Sequence, residues 1–193
     1  KAMDFALLKN EGGEFFTIED YQKKVADAQT DKHKRTVLLY THNADEHHGL
    51  IEAAKERGYD VLEFDNVIDA HFMQHLEYKL KDVTFVRVDS DTIDNLVKKD
   101  EKQESVLSEK EQELVKAVFE DLVKGKKGPT VTLKALSPND QPVQITRPEF
   151  MRRMKEMQAL GGGGMTMMGD FGDMYNIVVN SNHPFVAEKL LKL

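Results

Sequence analysis

Cysteine is absent from all 193 residues, which excludes disulfide frameworks, Cys-ligated zinc, iron–sulfur clusters and thiol nucleophiles. A reducing, cytoplasmic setting fits such a chain. No apolar run approaches the roughly 20 residues that a membrane-spanning helix needs, and the sequence from Lys1 lacks the pattern of a signal peptide. Excess positive charge is missing too. Twenty-seven basic and 34 acidic residues leave a net charge of -7, the wrong sign for a protein that neutralises a phosphate backbone. Nucleic acid and membrane are therefore not expected partners. No G-x-S-x-G nucleophile elbow occurs, and the serines fall in turn, cap or linker contexts. Position 1 is not Met, so the chain reads as a segment of a longer protein.

What is present is a foldable mixture, 40% hydrophobic and 32% charged, with enough apolar material for a core under a charged surface. Residues 1–9 read as the tail of a helix. Thr17 caps a second helix running to about Ala28, with acids at its positive end. Val37-Leu38-Leu39-Tyr40 is a short continuous apolar run, the mark of a strand covered on both faces. A helix through Ile51 and Ala54 ends at Gly58. A second strand follows at Val61–Phe64, then a helix carrying Ile68, Phe72, Met73, Leu76 and Leu80, then a third strand at 83–88. This β-α-β-α-β order predicts a small three-layer α/β subdomain with a parallel sheet.

From Lys98 to Gln112 the sequence is highly charged and loses apolar periodicity, as a solvated connector does. The expected division is 1–100 and 101–193. In the second part, Ser108-Glu109-Lys110-Glu111 is a capping box opening a helix with Leu114, Val115, Val118, Phe119 and Leu122 inward. Residues 131–133 and 143–145 read as a β hairpin around Pro138-Asn139-Asp140. Residues 148–160 read as a helix with Phe150, Met154, Met157 and Leu160 on one side. This second part is thus expected to be an α+β domain.

Three groups of residues invite a functional reading. His42, His47 and His48 suggest a metal-dependent enzyme, and His71 and His75 share a helical face. No H-E-x-x-H supplies a base between ligands, so surface or boundary histidines are the plainer account. Gly161–Gly164 follows a helix where a phosphate loop follows a strand, and reads as a hinge. The third group is methionine: seven of nine lie between Met151 and Met174. Met165, Met167, Met168, Phe171, Met174 and Tyr175 occupy a glycine-interrupted stretch, and flexible thioether side chains in such a stretch build adaptable binding surfaces.

Two segments carry a resemblance. Phe150-Met151-Arg152-Arg153-Met154-Lys155-Glu156-Met157-Gln158-Ala159-Leu160 resembles the M-E-R-I-M-K-A-Q-A-L helix of the heat shock protein 90 chaperones in their bacterial form. Asn180-Ser181-Asn182-His183-Pro184-Phe185-Val186 resembles their N-P-D-H-P-I-V. Phe5–Asn10, Phe16–Tyr21 and Gly58–Leu62 with Ile68-Asp69 are similar to the end of that family's middle domain. The resemblance implies that residues 1–100 are the small subdomain closing the middle domain and that 101–193 open the C-terminal, dimerising domain. It also implies that the methionine stretch contacts unfolded or partly folded client proteins. ATP, Mg2+ and the ATPase residues are implied to lie upstream, leaving this segment non-catalytic, and the last dimerising helices are implied to lie beyond Leu193. A scaffold module with one fixed protein partner is the remaining alternative.

Overall fold

A computed structural model describes residues 6–66, 69–97, 103–126, 128–153 and 174–192. The chain divides into two compact units, Lys1–Asp89 with Ile93–Glu101, and Ser90–Thr92 with Lys102–Leu193.

The first unit opens with two short antiparallel strands, β1 (Leu7–Lys9) and β2 (Phe15–Thr17). The expected helix tail is thus a strand at Leu7–Lys9. Gly13, at φ 79°, lets the chain reverse within a few residues, and pairing with β2 satisfies backbone groups that an isolated last turn would leave open. Thr17 then caps α1 (Ile18–Val25), its hydroxyl accepting from the Asp20 amide at 3.2 Å.

β3 (Thr36–Thr41), β4 (Val61–Glu63) and β5 (Val83–Arg87) form a parallel sheet in the order β4-β3-β5. Between them run α2 (His48–Glu56) and α3 (Asp69–Lys79). α2 stops where Gly58 adopts φ 74°. A short helix missed by the sequence reading, α4 (Ile93–Val97), follows β5. Alternate residues of β3 enter different cores. Leu38 and Tyr40 pack with α1 and α3 residues Tyr21, Val25, Met73 and Leu76. Val37 and Leu39 pack with Ile51 and Ala54 of α2 and with Ile93, Leu96 and Val97 of α4.

Asp60, just before β4, ties α1 to the sheet. Its carboxylate accepts from the buried Tyr21 hydroxyl at 2.9 Å, Asn10 Nδ2 at 3.1 Å and Lys24 Nζ at 2.6 Å. Its amide donates to Gln29 Oε1 at 2.6 Å. Burial, and then the Asp60 charge, push the Tyr21 phenol well above its ordinary value.

In the second unit α5 (Glu109–Leu122) begins with the expected capping box between Ser108 and Glu111. The serine hydrogen bonds hold the Glu111 carboxyl below its ordinary value. The inward face is narrower than the periodicity predicts. Val115 is buried and Phe119 packs on the core, but Leu114, Val118 and Leu122 are exposed. The expected hairpin is absent. β6 (Thr130–Lys134) and β7 (Val143–Thr146) flank β8 (Asn176–Asn180), which pairs parallel to β6 and antiparallel to β7. The continuous run Ile177-Val178-Val179 explains this order, since a strand with Val178 and Val179 both buried belongs in the centre. Residues 149–153 are helical, with Phe150 exposed instead of inward. A π turn, Phe185–Lys189, and a 3₁₀ turn, Leu190–Lys192, end the described chain.

Asn180 is fully buried, and its side chain accepts from the Leu136 and Asn182 amides and donates to the Ser137 carbonyl. Next to it, Ser105 Oγ donates to Ser181 Oγ at 2.8 Å, and Asn182 bonds the backbone of Glu104 and Val106. Together with buried Leu107, these contacts fix the end of the stretch expected to be a solvated connector.

Removing the acceptor of a buried hydroxyl leaves an unmet donor, at a cost of about 1–3 kcal/mol. Asp60→Ala is therefore expected to lower unfolding stability by that amount in urea titrations, and Tyr21→Phe by about 1 kcal/mol. In the double variant the two losses should fall short of additive, which a double-mutant cycle measures.

Candidate functional site

The expected binding residues divide into two groups. Met165, Met167, Met168 and Phe171 lie outside the described residues. Met174 is 41% exposed and Tyr175 half-buried, directly before β8, where the Tyr175 carbonyl accepts from the Thr130 amide at 3.0 Å. Other exposed apolar side chains of the second unit were missed as surface. Leu114, Val118 and Leu122 follow one another at intervals of four along α5, and Val106, Ile145, Phe150 and Phe185 are exposed elsewhere in that unit. Of the large apolar side chains exposed among the described residues, eight belong to the second unit and three, Leu7, Phe15 and Tyr78, to the first. The signal that could have separated them is the unusual width of the α5 pattern. Five apolar positions on a 14-residue helix exceed what one small sheet can cover.

The histidines also divide. β3 ends at the buried Thr41, and the chain turns through 42–47 into α2. His42 and His47 meet edge to face with ring centroids 4.9 Å apart. The third member of the group is Glu46, not His48. The atoms that His42, Glu46 and His47 can offer a metal lie within 4.8 Å of one another, and His48 is exposed outside that set. His47 is no surface residue: it is 3% exposed, and its Nδ1 shares a hydrogen bond of 2.8 Å with the Thr41 hydroxyl. Burial, the largest influence, and the positive charge of Arg87 hold the ring below its ordinary pKa, against the opposing pull of Asp89.

Behind this ring stands a buried ion pair at the end of β5. Arg87 Nε and Nη2 donate to Asp89 Oδ1 and Oδ2 at 2.5 and 2.7 Å, and Asp89 Oδ2 is 3.7 Å from His47 Nε2. Asp89 is 2% exposed, a carboxylate held inside the fold by its arginine partner. Polar residues at the carboxyl ends of adjacent parallel strands were the available signal, since open α/β sheets bind ligands there.

Among the described residues, no helix opens from a glycine-rich loop: α1 starts after Thr17, α2 after His47 and α5 after Ser108.

Comparison with known proteins settles the family. The family model described as Hsp90 protein matches residues 3–192. The chain belongs to the Hsp90 family. It is 44% identical over 192 residues to chaperone protein htpG of Bacteroides fragilis strain YCH46. It is 41% identical to HtpG of Bacteroides thetaiotaomicron and 36% identical to HtpG of Porphyromonas gingivalis, again over 192 residues. Each match covers 98% of this chain and 28% of the relative, so the chain spans little more than a quarter of the length of these chaperones. No helix among the described residues is long and apolar enough to cross a membrane.

Removing one partner of a buried ion pair leaves an uncompensated charge, which typically costs 3–5 kcal/mol. Asp89→Ala should therefore destabilise the chain by about that amount in chemical denaturation, with Arg87→Met milder because it leaves a carboxylate within reach of His47.

Proposed function

We propose that this chain is the non-catalytic, client-contacting segment of an ATP-dependent Hsp90-type chaperone. Residues 1–100 would be the three-layer subdomain closing its middle domain, and 101–193 the start of its C-terminal domain. ATP and Mg2+ would be handled by residues outside this chain, and the parent would act in the cytoplasm as a homodimer. The observation that carries the reading is the concentration of exposed apolar side chains in the second unit. A soluble surface does not keep a row such as Leu114, Val118 and Leu122 without a use for it.

The magnitudes suit a chaperone. Covering those three half-exposed side chains is worth roughly 3–5 kcal/mol before the costs of association. Contact of that strength is weak and readily exchanged, as release of a folding client requires. A fixed-partner scaffold needs a larger, better-shaped interface.

The test is binding to a chemically unfolded reporter protein, followed by light scattering as the reporter aggregates. The variant Leu114→Ser, Val118→Ser, Leu122→Ser and the variant Met167→Ser, Met168→Ser, Phe171→Ser should each protect the reporter less than the parent sequence does. Because these are proposed surface positions, stability should stay within about 1 kcal/mol. Undiminished protection by both variants would sink the proposal, and a large stability loss would return those side chains to a core.

A further inference from the structure

We propose that His42, Glu46 and His47 form a binding site for one divalent transition-metal ion of the Zn2+ class, at the carboxyl end of the parallel sheet of the first unit. The place follows from topology. In the order β4-β3-β5 the chain leaves β3 toward β4 on one side and returns with β5 on the other. The crevice at the carboxyl ends of β3 and β5 is therefore the switch point where open α/β sheets take their ligands. Thr41 ends β3, Arg87 ends β5, and the three proposed ligands lie in the turn that leaves β3.

The ligand set follows from atoms. His47 is buried, its Nδ1 is engaged by the Thr41 hydroxyl, and its Nε2 has no hydrogen-bond partner among the described residues. That nitrogen stands 3.7 Å from Asp89 Oδ2, too far for a hydrogen bond, so a buried polar atom is left without one, and a metal ion is a partner that a lone pair can satisfy. Metal binding would select the tautomer in which Nδ1–H donates to Thr41 Oγ1 and the lone pair sits on Nε2, the arrangement by which a metal-binding histidine is oriented through its far nitrogen, whereas without metal the Asp89 carboxylate favours a proton on Nε2. His42 Nε2 and Glu46 Oε2 stand 3.9 Å apart. Two ligands about 2.0–2.2 Å from one tetrahedral ion stand roughly 3.4 Å apart, so this pair would have to close by about half an ångström. The whole set lies within 4.8 Å, so binding requires His42 and Glu46, both exposed side chains, to turn toward His47. Two imidazoles and one carboxylate suit zinc, nickel or copper better than calcium or magnesium, which prefer all-oxygen shells.

Because His47 lies in the core, the exposed ligands carry the test. The 193-residue chain, stripped with chelator, is titrated with Zn2+ by calorimetry and with Co2+ by visible absorption. One equivalent should bind, with the intense Co2+ bands of a nitrogen-containing, low-coordinate site. His42→Ala and Glu46→Gln should each weaken binding at least about tenfold, the low end of what even outer-shell changes cost, while leaving the metal-free melting temperature unchanged. The double variant His71→Ala, His75→Ala and the variant His48→Ala should bind as the parent sequence does. No saturable binding overturns the proposal. So does binding that survives in His42→Ala and Glu46→Gln, or that is lost with His71 and His75, because the exposed i, i+4 pair on α3 would then be the site.

Discussion

Burial of strand β3 on both faces is the constraint from which the first unit follows. Val37, Leu38, Leu39 and Tyr40 are each at most 2% exposed, and since successive side chains point to opposite faces, both sides of one strand need cover. A hairpin or a one-sided sheet cannot provide it. Parallel neighbours joined by helices can, because each crossover lays a helix back across the sheet. The two cores that share β3 are the result, with α1 and α3 in one and α2 and α4 in the other. The same strand then sets where polar chemistry gathers. Its apolar run stops at Thr41, and side chains past that point are no longer held between helices, so Thr41, His47, Arg87 and Asp89 meet at the sheet's carboxyl end.

The second unit answers a similar constraint with a smaller sheet. β8 is central because Val178 and Val179 are both buried, and its neighbours come from either side of it in opposite senses. Polar closure comes from Asn180, which saturates backbone groups at Leu136, Ser137 and Asn182. The segment 180–186 therefore matters for building the unit, and its likeness to the family motif has a structural reason: an amide side chain of that length reaches three backbone groups at once.

Much of the first unit was legible because its signals are local and strong. The Val37–Tyr40 run, the Thr17 cap and the Gly58 stop each act within one turn or strand. The errors came where partners are distant in sequence. Leu7–Lys9 looks helical by composition, but its pairing with Phe15–Thr17 depends on a turn. β6 and β7 look like a hairpin, because nothing nearby shows that a strand some thirty residues on will slide between them. Leu114, Val118 and Leu122 have helical periodicity, and periodicity alone does not reveal how much sheet stands beneath the helix. Likewise, the histidines could be counted in the sequence, but Glu46 replaced His48 in the cluster because the turn before α2 decides which neighbours of His47 face it.

The two units thus use their apolar residues differently. In the first, a strand buried on both sides takes up most of them, and polar side chains gather at the sheet's carboxyl end. In the second, a three-stranded sheet is too small to cover α5 and the segments around it, and apolar surface is left over. For an isolated domain that surplus is an aggregation liability. On the function proposed above, the same surplus would be what an unfolded protein meets, since unfolded chains share exposed apolar surface. Weak contact spread over several exposed side chains then serves better than one deep pocket, because a pocket selects a shape and an unfolded chain has none to offer.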